Sequence, residues 1–371
     1  MAAKNEKKHP DLLSHLLNKL KNPFKDQSVM VGFDGYVDSL YGVVSKKKGT
    51  EKEYFPHIGN FADHIKSLSG KSGQVELSLK EIKIGGNAPI MSQALAAFGL
   101  QVYCIGTLGL PKFHPVFEEL HPNIQAKSIA MSGQSDAFEF EDGKLIFSDC
   151  GSFDDLNWEK VKAGIPLESL QDMYRNSQLV AAVDWVNLPH ASNIWQGLLE
   201  EVVIPNGQLG KKFFFDLADP SRKSKQEIRD ALQIISSFGG FGDVVLGLNE
   251  NETNIVFEAF EIPDSQIDLE SKAQVIFAQM SIGTLVVHLV EKSFAISTKG
   301  IVVQQGKLVK DPKILTGGGD NFNAGYTLGW LRDLDMDQRL LVGMACSGAY
   351  IQNGQSPGIL ELAQYLLHSM E

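Results

Sequence analysis

The sequence has few cysteines and no long apolar run, and both features limit its class. Its three cysteines are Cys104, Cys150 and Cys346, and no two of them form a CxxC pair. An odd number of isolated cysteines favours free thiols in a reducing compartment. No stretch of about 18 apolar residues is present, so we expect no membrane span. The charged N-terminus lacks the apolar run of a signal peptide, and we therefore expect a cytoplasmic protein.

Positive charge is also scarce. The 34 Lys and Arg residues are outnumbered by 45 Asp and Glu residues, which gives a net charge of −11. Nucleic-acid-binding proteins usually carry a basic face, and the lysine-rich runs from Lys4 to Lys8 and from Lys46 to Lys48 are too short to form one. We expect both runs to be solvated surface, with no nucleic-acid partner.

Motifs of common hydrolases are absent as well. The nine histidines show neither HxH nor HExxH spacing, and the sequence contains no Gly-x-Ser-x-Gly elbow. We therefore expect neither a metal-dependent hydrolase nor a serine hydrolase.

From about residue 85 onward, short apolar strands alternate with helices, and no linker divides the chain. This alternation predicts an α/β fold in which a mostly parallel sheet has helices on both faces. The strands are continuous apolar runs, as expected where both faces are covered. A further helix and strand are expected at 11–21 and 29–31. The other predicted strands are 101–105, 178–183, 212–216, 243–247 and 284–289, and the other predicted helices are 87–99, 190–203, 224–237, 250–260, 266–280, 320–333, 336–352 and 358–369.

Three segments depart from this rhythm and alternate like half-buried strands. They are residues 36–46, 74–84 and 132–149, and the last contains an Asp-Gly turn that predicts a hairpin. Together they predict a small β-sheet projecting from the main body, either as extra edge strands or, as we favour, as a lid over a pocket. We therefore predict a single domain over residues 1–371, with residues 1–27 as an N-terminal helical extension.

The most informative segment is Thr316-Gly317-Gly318-Gly319-Asp320, which precedes an apolar helix. Glycines let backbone N–H groups converge, and a helix start adds unpaired N–H groups and a positive dipole end. Such a turn suits a transferring phosphoryl group, and Asp320 could take the proton of an attacking hydroxyl. The alternative is a glycine-rich turn in which Asp320 serves only as the helix cap. The residues alone leave both interpretations open.

Four motifs in the same order resemble the ribokinase family, also called the PfkB carbohydrate kinases. The Gly-Gly-Gly-Asp segment and the Asn-Phe-Asn-Ala-Gly that follows it resemble the family's C-terminal signature. Spread over residues 32–325, the four motifs cover most of the chain. The other three are Gly85-Gly86-Asn87 before a helix, Asn249 with Glu252 after a strand, and Gly32 with Asp38 at the first strand.

The resemblance implies a ribokinase-like three-layer sandwich with a small β-sheet lid. It also implies a kinase that uses magnesium and ATP, or another nucleotide, to phosphorylate a hydroxyl of a sugar or sugar-like molecule. Asn249 and Glu252 would organise the metal, with Glu252 as its carboxylate, although a plain helix cap completed by a capping box is the alternative. The other implied roles are Asp320 as general base, Gly317, Gly318 and Gly319 as anion hole, and Asp38, Gly85, Gly86 and Asn87 as acceptor contacts.

Three further residues are candidate nucleotide contacts. Arg222 follows a strand end where the family has a polar loop, and it either reaches a phosphate or lies on the surface. His288 stands where the family has Thr-x-Gly-x-x-Gly, and it is either a replacement donor or a strand-end histidine. Asn353 lies in the loop that flanks the adenine in the family.

Two departures from the family pattern keep other functions open. The Thr-x-Gly-x-x-Gly glycines are absent, which would suit a degenerate member that binds a sugar or nucleotide and regulates without turnover. Ile90 replaces a family asparagine, and together with Phe138 and Phe140 it would suit the flatter acceptor of a nucleoside or vitamin kinase. Lid strands in the family often pair between subunits, so a homodimer is also possible.

Overall fold

The computed structural model describes residues 16–22, 27–207, 210–262, 267–310, 312–314 and 316–369. Residues 1–15 and 23–26 of the predicted N-terminal extension, and with them the first part of the predicted helix at 11–21, therefore lie outside the described residues. Residues 16–21 are helical, and Leu16 and Leu20 are buried in the core. Within the described ranges, no helix is both long and apolar enough to cross a membrane.

A nine-stranded sheet forms the centre of the molecule. In spatial order its strands are β14 (Gly300–Gln305), β13 (Lys292–Ser297), β12 (Thr284–His288), β11 (Gly242–Asn249), β10 (Lys211–Asp216), β9 (Ser177–Ala182), β1 (Ser28–Gly32), β5 (Gln101–Gly106) and β6 (Ile124–Ser128). The strands from β12 to β6 are all parallel, and β13 and β14 add an antiparallel edge. The six predicted strands of this sheet are present, whereas β6, β13 and β14 were not predicted.

Helices cover both faces of this sheet, which confirms the predicted α/β architecture. In chain order the helices are α1 (Ile58–Ser67), α2 (Asn87–Ala97), α3 (Trp158–Gly164), α4 (Leu167–Asn176), α5 (Ala191–Gly197), α6 (Lys225–Ser237), α7 (Glu250–Ala259), α8 (Leu269–Ala278), α9 (Gly318–Leu331), α10 (Met336–Asn353) and α11 (Ile359–Ser369). Residues 16–21, α2 and α9–α11 pack on one face, and α3–α8 pack on the other. Helix α5 continues through a π-helical turn at Leu198–Val203 and a last turn at Ile204–Asn206.

Central strands are apolar on both sides because successive side chains point to opposite faces. In β10, Phe213 and Phe215 pack towards α5 and α6, while Phe214 packs towards α9. The ring of Phe215 lies 5.0 Å from that of Trp195 and 5.0 Å from that of Phe238. This aromatic cluster fixes the strand whose end carries part of the site.

A second, five-stranded sheet stands apart from the first. Its middle strand β2 (Tyr36–Lys48) pairs with β4 (Leu77–Gly85) on one side and with β7 (Gly133–Phe140) on the other, and β3 (Glu51–Tyr54) and β8 (Gly143–Asp149) complete it. Strands β2, β4, β7 and β8 overlap the three alternating segments, whereas β3 was not predicted. Helix α1, which was not predicted, covers one face through Phe61, whose ring stacks on Phe140.

Polar side chains gather where the parallel strands end. Asp34, Asp184, Asp216, Asn249 and His288 lie at or just beyond the carboxyl ends of β1, β9, β10, β11 and β12. These strands are neighbours, and ligands in open α/β sheets bind at this edge. This row of residues is therefore the candidate functional site.

Loss of one ring from this aromatic cluster should destabilise the protein. Phe215→Ala should lower the free energy of unfolding by about 3–5 kcal/mol, because a buried ring leaves a cavity. The matched control is Phe147→Ala, whose ring is 55% exposed, and which should cost about 1 kcal/mol or less. Urea denaturation followed by circular dichroism measures both, and equal losses would contradict the packing described.

Candidate active site

The start of helix α9 has backbone amides for which the described residues provide no acceptor. Gly317 caps the helix with φ 90°, a left-handed conformation that favours glycine. The first bond of the helix runs from the amide of Asn321 to the carbonyl of Gly317 at 3.1 Å. In the described part of the chain, the amides of Gly318 and Gly319 have no acceptor. Because a helix start also carries a positive dipole end, these amides can bind an anion.

The three glycines are not equally constrained. A Cβ on Gly317 would lie 2.7 Å from the hydroxyl of Tyr350, which donates to the carbonyl of Thr316 at 3.0 Å. A Cβ on Gly319 would meet its first neighbour, Cε1 of His288, only at 3.5 Å, an ordinary contact. Gly317 is therefore required by the fold, whereas Gly319 keeps open the space between the helix start and His288.

A cavity of about 1130 Å³ opens beside this helix start. Gly318, Gly319, Asn249 and His288 line one end of it, and apolar side chains of α10, including Met344, line its walls. A smaller cavity of about 680 Å³, lined in part by Asn353, shares residues 307–309 with the first. A polar end with free amides and an apolar wall suit a nucleotide, whose phosphates and base need different surroundings.

Asp320, the third residue of α9, is half-buried and surrounded by negative charge. Loss of solvation raises its pKa well above the ordinary carboxyl value, and the charges of Asp216, Asp184 and Glu252 raise it further. Its own backbone amide opposes this shift. A carboxylate with a raised pKa is a better proton acceptor than an ordinary one, as general-base chemistry requires.

Asp34 and Asp184 form a buried pair that the sequence did not predict. The two oxygens of Asp34 accept hydrogen bonds from the amides of Asn87 and Ala88, both at 2.7 Å, and so cap helix α2. The capped helix start is the one predicted to contact an acceptor, and the amide of Asn87 is already engaged there. Burial raises the pKa of Asp34 well above its usual range, and the neighbouring Asp184 adds to the shift.

Asp184 is fully buried and keeps unused hydrogen-bonding capacity. Its Oδ1 accepts from Nδ2 of Asn187 at 2.6 Å, whereas Oδ2 has no partner in the described residues. Burial raises its pKa to about 6, and its backbone has φ 57°, rare for a residue with a side chain. An unpaired buried oxygen in a strained residue is typical of a binding site. The only sequence signal was an acid directly after an apolar strand.

Asn249 and Glu252 form a complete capping box at the start of α7. Both carboxylate oxygens of Glu252 accept from Asn249, from its Nδ2 at 2.6 Å and its backbone amide at 2.8 Å. The backbone amide of Glu252 donates to Oδ1 of Asn249 at 2.9 Å. The helix cap, which is the alternative to metal organisation by these two residues, is therefore formed. Burial and the charge of Asp216 raise the pKa of Glu252 well above its usual range.

The carboxylates near Asp320 fit a cation held mostly through water. Asp216 accepts from the amide of Ala218 at 2.8 Å and from Nδ2 of Asn323 at 2.7 Å, and burial raises its pKa. Oδ1 of Asn323 has no partner in the described structure. Within the described residues, no three His, Cys, Asp or Glu side chains are placed to hold an ion. Magnesium keeps several waters and needs few carboxylates, so this donor set fits Mg²⁺ better than an ion held only by protein.

Asp38 approaches this region from the small sheet. It is half-buried, and its Oδ1 would lie 2.2 Å from a Cβ on Gly85, so that glycine makes room for it. Gly86 likewise makes room for Asp34, whose Oδ2 would lie 2.6 Å from an added Cβ. Burial raises the pKa of Asp38 to about 6. Burial raises the pKa of the Tyr350 hydroxyl, and the charges of Asp320 and then Asp38 raise it further.

The other candidate nucleotide contacts lie in different places. His288 lines the large cavity; its ring packs 4.9 Å from that of Phe322, and burial lowers its pKa to about 4, so it is neutral. Arg222 is exposed and donates to Oδ1 of Asn187 at 2.6 Å, outside that cavity. Asn353 lines the smaller cavity.

Phe138 and Phe140 do not face the acceptor side. Asp38 pairs directly with Ser135 of β7, and residues two apart share a face, so the even-numbered residues of β7 point the other way. Both rings contact Phe61 of α1. The aromatic pair therefore gives no support to a flat nucleoside-like or vitamin-like acceptor.

Solved structures of ribokinases have the same fold. The ribokinase of Thermotoga maritima is 14% identical, with a TM-score of 0.62, over 93% of this chain and 100% of its own. The ribokinase of Arabidopsis thaliana, solved with ribose and ATP, is 15% identical, with a TM-score of 0.63, over 92% and 98% of the two chains. At such identities the likeness shows the fold alone, and it confirms the predicted ribokinase-like architecture.

Sequence comparison is more specific. A ketohexokinase of Haloferax volcanii is 25% identical over 340 residues, which are 91% of this chain and 90% of that protein. The family model described as prokaryotic ketohexokinase matches residues 8–368. The resemblance to the carbohydrate kinases is confirmed, and with nearly its whole length matched, the chain belongs to the prokaryotic ketohexokinase family and is a carbohydrate kinase.

Proposed function

We propose that the protein transfers the terminal phosphoryl group of ATP to a hydroxyl of a ketohexose. The acceptor class follows the family and the Haloferax volcanii relative, and ATP follows the ligand of the Arabidopsis thaliana ribokinase. The observation that carries the proposal is a helix start at which Gly318 and Gly319, whose amides have no acceptor among the described residues, adjoin Asp320 and line a nucleotide-sized cavity. Anion binding and proton acceptance thus meet at one helix start.

In the proposed mechanism, Asp320 accepts the proton of the attacking hydroxyl while the amides of Gly317–Gly319 hold the transferring phosphoryl group. Asp38, Asp184 and the turn at Gly85, Gly86 and Asn87 orient the acceptor. The small sheet serves as a lid that excludes water from the reacting groups.

The donor nucleotide would occupy the large cavity. His288 donates a hydrogen bond to its phosphates as a neutral ring, Asn353 lies towards its base, and Arg222 adds positive charge near the transferred group. Mg²⁺ would be held through water by Glu252 and Asn249, and when bound it neutralises charge on the donor phosphates. Glu252 then keeps its helix cap and contributes as a fixed negative charge.

Replacing the proposed base tests turnover directly. Asp320→Asn should lower kcat by at least about 100-fold, because the amide cannot accept the hydroxyl proton. Binding of ATP, measured by calorimetry, should survive, since the amides of the helix start are unchanged. The assay follows ADP release with D-fructose. Equal kcat values would refute the base assignment, and a wild-type protein that binds ATP and sugar without turnover would favour the regulatory alternative.

The raised pKa of Asp320 predicts an acid limit to turnover. Asp320 acts as a base only when ionised, so kcat should fall as pH decreases through its raised pKa, at a higher pH than an ordinary carboxyl of pKa 3.8 would give. A pH profile of kcat at saturating substrates measures this. A flat profile down to pH 4 would contradict the environment described for Asp320.

A substitution at Gly319 should disturb the proposed phosphoryl-binding site without destabilising the helix. Gly319→Ala adds a methyl group that the protein accommodates at 3.5 Å from His288, and alanine favours a helix by roughly 1 kcal/mol. Thermal stability should therefore be kept or increased. The methyl group would intrude beside the free amides and displace the phosphoryl group, so kcat should fall about 100-fold.

Gly317→Ala is the contrasting variant. Its φ of 90° and the Tyr350 hydroxyl at 2.7 Å predict that it loses stability as well as activity. Full activity in a stable Gly319→Ala protein would show that the glycine turn does not hold the phosphoryl group.

A further inference from the structure

Two opposite charges face each other on the inner side of the small sheet. Asp38 of β2 and Lys83 of β4 are direct cross-strand partners, so their side chains leave the same face. Both are half-buried. Among the described residues, neither side chain takes part in a hydrogen bond or an ion pair, and none joins the two to each other.

Neighbouring lysines on the same sheet behave differently. Lys80, three residues before Lys83, contacts Glu139 at 3.1 Å, and Lys144 contacts the same carboxylate at 2.8 Å. Lys83 instead has no hydrogen bond or close ion pair among the described residues; burial lowers its pKa, and the facing charge of Asp38 opposes that shift. Two half-buried charges that attract each other but form no hydrogen bond still cost free energy, and a polar group placed between them would recover part of it.

The position of this pair connects it to the proposed acceptor site. The carboxylate of Asp38 lies against Gly85, which leads into the start of α2 that Asp34 caps. Its cross-strand partner Lys83 leaves the same face of the sheet, two residues before Gly85. An acceptor bound at this turn would therefore meet both side chains.

We propose that one hydroxyl of the acceptor bridges this pair, donating a hydrogen bond to the carboxylate of Asp38 and accepting one from the ammonium of Lys83. The inference rests on the proposed function and adds a specificity residue to it. A hydroxyl is both donor and acceptor, which matches a carboxylate on one side and an ammonium on the other. An analogue that lacks this hydroxyl would leave both groups without their hydrogen bond to the substrate, and it would therefore bind weakly.

The test compares Lys83→Met with the matched control Lys80→Met. Steady-state kinetics use D-fructose and its monodeoxy analogues at saturating ATP. Lys83→Met should raise the KM for D-fructose about tenfold or more, the loss expected for one charge-assisted hydrogen bond, with the KM for ATP unchanged. Lys80→Met should leave both KM values unchanged.

The deoxy analogues identify a direct contact. The wild type should discriminate strongly against one of them, and Lys83→Met should lose most of that discrimination, as coupled partners do in a double-mutant cycle. Lys83→Gln keeps a donor without the charge and should fall between the two proteins. It also supplies the comparison if Lys83→Met fails to fold.

A pH profile separates contact from electrostatics. The charged and titratable groups facing Asp38 are Lys83 on β4, Lys144 on β8 and Tyr350 on α10. Both lysines lower the pKa of Asp38, so removing either should move the acid limb of kcat/KM for D-fructose to higher pH. Only Lys83→Met should also raise KM on the plateau, and Lys83→Arg should restore the position of the limb.

The outcomes distinguish this inference from the function it rests on. A wild-type protein that turns over no ketohexose would overturn both. An active wild type in which Lys83→Met and Lys80→Met have the same KM for D-fructose, or in which no deoxy analogue depends on Lys83, would overturn the bridging contact alone.

Discussion

At the start of α9, backbone amides with no acceptor among the described residues oppose a group of carboxylates that repel one another, and the rest of the site depends on this opposition. The groups that raise the pKa of Asp320 most, after burial itself, are three other acids. Such a cluster is costly without compensation. The helix start supplies part of it through its dipole and free N–H groups. A bound nucleotide with its cation would supply the remainder, so the site is built to be completed by its ligands.

The acids differ in what already holds them. Asp34, Asp216 and Glu252 each accept two hydrogen bonds from neighbouring amides, one on each oxygen, which fixes their position. Asp320 has only its own backbone amide, and Asp38 has no hydrogen-bond partner in the described structure. Free capacity at Asp320 and Asp38 is what substrate chemistry needs, whereas the satisfied acids act on them through charge.

Much of this was predictable from local patterns in the sequence. Apolar runs alternating with helices predicted the parallel sheet, and the glycine run before an apolar helix predicted the glycine turn at the start of α9. Strands β13 and β14 were missed because a short antiparallel edge has no distinct apolar run. Asp184 could not be recognised as a site residue, because its role depends on Asp34, 150 positions earlier. Its left-handed backbone is likewise set by the tertiary structure.

In the small sheet, the acceptor-facing interpretation of Phe138 and Phe140 was wrong for the same reason that Lys83 was missed. Alternation predicted strands but not which side of each strand would face the cleft. Helix α1, which was not predicted, covers the face of Phe138 and Phe140 and so turns those rings away from the acceptor. The opposite face is left with Asp38 and Lys83, and a one-residue change of register would exchange the two sets.

Under the proposed function, the missing Thr-x-Gly-x-x-Gly segment would shift the binding of the donor phosphates onto α9. Without those glycines the β12–β13 turn offers fewer converging amides, and His288 stands there instead, packed on Phe322 and kept neutral by burial. A neutral imidazole contributes one directed N–H and no charge. Its ring lies beside Gly319, whose missing side chain leaves that space open. The loss of one amide-rich turn would therefore be tolerable only while the turn at Gly317–Gly319 keeps its glycines.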